Sequence, residues 1–146
     1  MLENYKKHVA ERAEQNIPPL PLDADQTSEL IELLKKDHQE SDFLLDLLKE
    51  RVPAGVDQAA YVKAAFLADI TTGKASSPYI TKIDAVKILG TMLGGYNIQP
   101  LIECLKDNEL AEAAAHVLSR TLLIFDAFNE IFEPVSYTHL TLPTKA

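Results

Sequence analysis

The stretch Asp23-Ala-Asp-Gln-Thr-Ser-Glu-Leu-Ile-Glu-Leu-Leu-Lys-Lys-Asp-His-Gln-Glu-Ser-Asp-Phe-Leu-Leu-Asp-Leu-Leu48 decides the fold. Asp23 with Gln26 three residues on has the form of a capping pair, in which each side chain can satisfy a backbone donor of the other. Leu30, Ile31, Leu33 and Leu34 follow, so a helix starts near Ala24. Asp37 to Glu40 is a polar break. Beyond it Phe43, Leu44, Leu47 and Leu48 recur in adjacent pairs four apart, with Asp42, Asp46, Lys49 and Glu50 between them. That spacing predicts a second amphipathic helix, which must end before Pro53 because proline removes a donor and clashes with the preceding turn.

The same grammar extends outward. Leu2, Tyr5, Val9 and Ala13 come round at helical spacing with Lys6, Lys7, Glu11 and Arg12 opposite, predicting an opening helix from Leu2 to Gln15. Ile17-Pro-Pro-Leu-Pro-Leu22 then forces an extended strap. After Pro53-Ala-Gly-Val-Asp57, Asp57 is a candidate N-cap, Val56 could close on Tyr61 as a hydrophobic staple, and Ala60, Ala64, Leu67 and Ala68 mark a buried stripe. Thr71 to Pro78 reads as a loop, and Thr81 with Asp84 starts a helix carrying Ala85, Ile88, Leu89 and Met92, ended by Gly94-Gly95. Asn97 can cap the next helix, with Pro100 in its first turn and Ile98, Leu101, Ile102 and Leu105 on its apolar stripe. A long helix from about Glu109 is predicted to carry Leu110, Ala114, Val117, Leu118, Leu122, Phe125 and Phe128. Its all-apolar turn Leu122-Leu-Ile-Phe125 is expected to be the most buried.

Seven helices joined by short turns, without strand alternation inside them, predict an all-α fold of stacked helical hairpins, superhelical and HEAT-like. Leu30-Ile-Glu-Leu-Leu34, Leu44-Leu-Asp-Leu-Leu48 and Leu101-Ile-Glu-Cys-Leu105 look alike, although any leucine-rich helix would.

The 146 residues, 47 % hydrophobic and 25 % charged, suffice for one domain with a continuous core. A net charge of -8 with no basic run argues against nucleic acid and anionic membranes as partners. The N-terminus has no signal-peptide core and no stretch approaches a membrane span, so a cytoplasmic location is expected.

Met1-Leu-Glu-Asn-Tyr-Lys-Lys-His-Val-Ala-Glu-Arg-Ala13, Phe43-Leu-Leu-Asp-Leu-Leu48, Arg51-Val-Pro-Ala-Gly-Val-Asp57, Ala60-Tyr-Val-Lys-Ala64 and Leu89-Gly-Thr-Met-Leu-Gly-Gly-Tyr-Asn-Ile98 resemble, in order, the amino-terminal domain of the aconitate hydratase B family. The resemblance covers Met1 to about Glu133. It implies a HEAT-like domain preceding a swivel domain and three catalytic domains of a hydro-lyase. That enzyme interconverts citrate and isocitrate through cis-aconitate in the tricarboxylic acid cycle and also dehydrates 2-methylisocitrate. It further implies contacts with the remaining domains of the parent, homodimer contacts, and a 4Fe–4S cluster held by three cysteines of the later domains. Cys104, the single cysteine, matches none of them. The expectation is therefore an interaction domain, inactive by itself, with no catalytic, cofactor-binding or metal residue of its own; a stand-alone HEAT-like adaptor is the alternative. Regulatory RNA binding goes with the family, but this acidic stretch gives it no support.

From about Val135 the chain departs from the family. Val135 to Thr144 reads as translated adaptor sequence appended to a truncated frame, with a β-prone tail as the competing reading. The expected organisation is a domain over 1–133 and a non-native, irregular, unstructured tail over 134–146.

Acid-base candidates are weak. His38 is expected to be a solvated turn residue, His8 sits among carboxylates by sequence proximity alone, His116 is expected at a partly buried core edge, and His139 falls in the tail. Gly94-Gly95-Tyr96-Asn97 lacks the strand and the lysine of a phosphate-binding loop. Cys104 is expected to act as a small hydrophobe on its helix's apolar stripe.

Overall fold

The structure is a computed structural model that describes residues 1–93 and 95–120. These form α1 (Leu2–Glu14), α2 (Ala24–Leu34), α3 (Ser41–Glu50), α4 (Gln58–Thr72), α5 (Lys82–Gly90), α6 (Ile98–Cys104) and α7 (Ala111–Leu118). No strand occurs among the described residues beyond an isolated bridge between Ser77 and Ile80, so the fold is all-α as predicted. No helix among them is long and apolar enough to cross a membrane. Helices pack as the pairs α2–α3, α4–α5 and α6–α7, and successive pairs meet through α2–α4, α4–α6 and α5–α7.

Side-chain caps start α2, α4 and α5. Gln26 N–H donates to Asp23 Oδ1 at 2.7 Å and Asp23 N–H to Gln26 Oε1 at 3.0 Å, completing the predicted capping box of α2. Thr81 and Asp84 repeat the device on α5, at 3.1 Å in both directions. Asp57 accepts from Ala59 N–H at 2.8 Å to open α4, and Gly73 closes it with φ +82°. The proline strap uses each of its three backbone donors: Ile17 N–H reaches Arg12 O, Leu20 N–H reaches His8 Nε2, and Leu22 N–H reaches Arg51 O. Since buried or half-buried amides need partners, this pairing fastens the strap between α1 and the end of α3. Tyr5, 2 % exposed, donates its hydroxyl to Leu20 O at 2.9 Å on the same strap.

Three boundaries or stripes differ from expectation. First, α5 ends at Gly90 rather than at Gly94-Gly95, of which Gly94 lies outside the described residues. The Thr91 hydroxyl donates to Ile88 O at 2.7 Å, and Asn97 Nδ2 donates to Leu89 O at 2.7 Å and to Met92 O at 3.2 Å, so side chains satisfy the last carbonyls. Asn97 therefore precedes α6 without capping it through its side chain. Second, α7 begins at Ala111 because the turn at Asp107 takes up the preceding donors: its carboxylate accepts from Glu109 N–H and its carbonyl from Leu110 and Ala111 N–H. Third, Ala68 on α4 is only half-buried, while Phe66, Ile70, Thr71 and Lys63 are buried beside Ala60, Ala64 and Leu67. A central helix with neighbours on several sides has no single stripe to read. The rest of the predicted long helix, Leu122 and Phe125 among it, and the tail lie outside the described residues.

Candidate interaction surface

Two turns, one after α3 and one after α5, are tied together by backbone groups. Gly55 N–H donates to Leu93 O at 3.2 Å, and the Tyr96 hydroxyl donates to Val56 O at 3.2 Å. Gly55 and Gly95 sit at φ +86° and +98°, a region that costs a side-chain-bearing residue strain and glycine little. On this frame stand Val56, 76 % exposed, Leu93, 67 % exposed, and Tyr61, 51 % exposed, with the half-buried Tyr96 between them. Tyr61 and Tyr96 meet edge to face, ring centroids 5.4 Å apart. The staple expected between Val56 and Tyr61 does not shelter Val56, since the Tyr61 ring turns to Tyr96 instead. From this cluster a groove of about 360 Å³ runs between α4 and α6, with Ala64, Ala65 and Ala68 among its lining and Tyr61, Tyr96 and Pro100 beside them. Small side chains on such a lining let another element approach the backbone closely.

The residues with candidate chemistry are not brought together. His8 Nε2 accepts from Leu20 N–H at 3.0 Å, and its ring lies 5.8 Å from that of Tyr5, so it serves the strap. His38 is half-buried rather than solvated, because Tyr79 pins its turn: His38 N–H donates to the Tyr79 hydroxyl at 2.6 Å, which donates to His38 O at 3.2 Å. Its Nδ1 accepts from Glu40 N–H at 3.0 Å. His116 is exposed, contrary to the core-edge expectation, because α7 turns Ala111, Ala114, Ala115 and Leu118 inward and leaves His116 opposite. His139 lies outside the described residues. Cys104 is 4 % exposed; burial pushes its thiol up from the ordinary range, against a hydrogen bond with Thr71, so it stays a neutral, packed group. Among the described residues no three or more His, Cys, Asp or Glu side chains gather as metal ligands.

Sequence reasoning missed Lys63 and the exposed Val56 and Leu93. Lys63 had a legible signal: it lies three residues beyond Ala60 and four before Leu67, on the apolar stripe itself. Val56 and Leu93 sit in turns, where periodicity says nothing about exposure.

Comparison with known proteins places this surface in context. The family profile described as the Aconitate B N-terminal domain matches residues 4–140. Aconitate hydratase B of Escherichia coli K12 is 59 % identical over 134 residues, covering 91 % of this chain and 16 % of that protein. The Pseudomonas aeruginosa PAO1 protein of the same name is 58 % identical over 134 residues, with 91 % and 15 % covered, and that of Helicobacter pylori J99 is 46 % identical over 132 residues, with 89 % and 16 % covered. The chain thus spans about 16 % of the length of such relatives.

Proposed function

The chain belongs to the Aconitate B N-terminal domain family, and from that premise we propose that it is the HEAT-like interaction and assembly domain of an aconitate hydratase B. Its partners in this reading are the remaining domains of the parent enzyme and a second copy in a homodimer, in the cytoplasm. The parent reaction, citrate to isocitrate through cis-aconitate, with 2-methylisocitrate as a further substrate, is carried out elsewhere in the parent. The domain itself is taken as 1–133, with 134–146 adding nothing to its stability.

The observation that carries this reading is the exposed apolar cluster Val56, Tyr61, Leu93 and Tyr96 on a hydrogen-bonded frame. Isolated exposed apolar residues need no explanation, but a group gathered on two hydrogen-bonded turns does, and tyrosine anchors are enriched where partners bind. A polar rim is present too: Gln99 and Glu103 line the groove and Gln99 Nε2 donates to Glu103 Oε1 at 3.2 Å.

The parent's iron–sulfur cluster requires several cysteine thiolates. This chain offers one cysteine, buried and hydrogen-bonded to Thr71, so its residues do not fit the group.

The test is binding in trans. The chain is titrated against an aconitate hydratase B relative produced without its matching first segment, by calorimetry. Saturable association that weakens at least tenfold with Leu93→Glu supports the reading. Identical affinity of the variant, or no association at all, contradicts it.

A further inference from the structure

Lys63 of α4 is 4 % exposed, among the buried Ala59, Ala60, Ala64, Phe66, Leu67 and Ile70 of the same helix. A buried ammonium without a partner is costly, so such lysines ordinarily carry a salt bridge or several hydrogen bonds. Lys63 takes part in none of the salt bridges or side-chain hydrogen bonds among the described residues. Nor is it sealed, because no buried side-chain nitrogen there is left both unpartnered and without access. It lines a cavity of about 110 Å³ that opens where α3, α4 and the turn after α5 converge.

The composition of that cavity is unusual for a chain of net charge -8. Among the described residues its lining contains two lysines, Lys49 and Lys63, and no carboxylate. The remaining walls are Val52, Pro53, Ala54, Met92 and Leu93, with Thr91 at the side. Among the described residues Lys49 likewise forms no salt bridge, although Asp84 feels its charge. Glu50, the acidic group that acts on Lys63, does not line the cavity. Burial brings the Lys63 ammonium down to about 8, against the pull of Glu50, so near neutral pH it remains a cation at the edge of an apolar space. In such a place electrostatic attraction to an anion is screened far less than at the surface.

We infer that this cavity is a binding site for a small oxyanion, a carboxylate or a phosphate, held between the ammonium groups of Lys63 and Lys49. Size agrees with the class: one water needs roughly 10–15 Å³ of such space, so the cavity accepts a group of a few heavy atoms and excludes a nucleotide. Lys49, which is exposed, draws the anion in, and Lys63 receives it beside the apolar walls. The inference goes beyond the docking role: the cavity shares no lining residue with the α4–α6 groove, and since Leu93 borders both the cavity and the exposed cluster, anion binding is tested at Lys49 and Lys63 rather than at Leu93.

The experiment uses the full chain with carbon-13-labelled lysine at pH 7 and constant ionic strength. It is titrated with inorganic phosphate in one arm and acetate in the other, against chloride. The expected result is a saturable shift of the Lys63 Cε signal larger than that of any other lysine except Lys49. Saturation by phosphate alone assigns a phosphoryl group, and saturation by acetate as well assigns a carboxylate. Binding measured by calorimetry should be abolished in Lys63→Met, and should weaken at least tenfold in Lys49→Gln, an exposed position whose substitution leaves the core untouched. Shifts shared equally by all lysines, or binding unchanged in Lys49→Gln, would overturn the inference.

Discussion

Gly90, the last residue of α5, lies directly beneath Val117 of α7: a Cβ placed on Gly90 would stand 2.7 Å from both Cβ and Cγ1 of Val117. That approach is closer than real carbon atoms make, and Val117 is a β-branched residue whose Cβ cannot swing aside. Exchange of a late-helix glycine for alanine ordinarily gains up to about 1 kcal/mol, whereas overpacking a tight contact costs about 1–3 kcal/mol. We expect Gly90→Ala to destabilise the chain by about 1–2 kcal/mol in urea melts. In the Gly90→Ala/Val117→Gly double variant, which removes the Val117 Cβ as well as its methyls, the two effects should couple favourably by about 1 kcal/mol, and simple additivity would show that the helices do not meet here.

Asn97 is 1 % exposed and its amide bridges the carbonyls of Leu89 and Met92. Removing it leaves Met92 O without that donor, a cost of about 1–3 kcal/mol when desolvated, and leaves Leu89 O with its bond from Met92 N–H alone, a further loss of about 1 kcal/mol. Asn97→Ala should therefore lose about 2–3 kcal/mol and speed amide exchange first in the turn joining α5 to α6. A loss under about 0.5 kcal/mol would mean that the bridge is absent.

The capping boxes predict smaller effects. Asp23→Ala and Thr81→Ala should each cost about 1 kcal/mol at neutral pH. Hydrogen bonds from the Thr81 backbone and then its hydroxyl hold the Asp84 carboxyl below its ordinary value of 3.8. A depressed carboxylate contributes stability that is present above its unfolded value and is lost as pH falls through the folded one. The cost of Thr81→Ala should accordingly shrink below about pH 4, as measured by thermal melts across that range. A constant cost would separate the cap from the carboxylate.

Lys63 predicts a dependence of the same sign in the alkaline range. Its folded value near 8 lies below the ordinary 10.5, so between these limits the unfolded chain binds more protons, and stability rises with pH. The penalty is fully present below pH 8. Lys63→Met should be the more stable protein at pH 7, by on the order of 3 kcal/mol at most given the size of the shift. The gap should close as pH approaches 10.5. Subtracting the two melting curves removes Tyr5, whose phenol is raised by burial in both proteins. A gap independent of pH would contradict the placement of Lys63.

Much of this fold is legible in the sequence because its signals are local. The Asp23/Gln26 and Thr81/Asp84 pairs needed only residues three apart, and both boxes form as read. The end of α5 was not legible, since it depends on Asn97 reaching back eight residues to Leu89 O. His38 was misjudged because Tyr79, forty-one residues away, pins its turn. The exposed cluster of Val56, Tyr61, Leu93 and Tyr96 likewise arises from long-range ties, Gly55 to Leu93 and Tyr96 to Val56. Family resemblance pointed to these turns without saying which side chains face outward.

In the proposed function this cluster is the face on which the domain meets the rest of its parent. Hydroxyl-radical footprinting tests it most directly, with the chain alone and with the remaining domains of an aconitate hydratase B relative added. Tyr61, Leu93 and Tyr96 should be oxidised readily in the free chain and be protected at least fivefold in the complex, while the exposed Ile17 and Leu20 of the strap remain reactive. Protection of Ile17 and Leu20 with Tyr61 and Leu93 unchanged would contradict the claim and move the interface to the opposite turn of the chain.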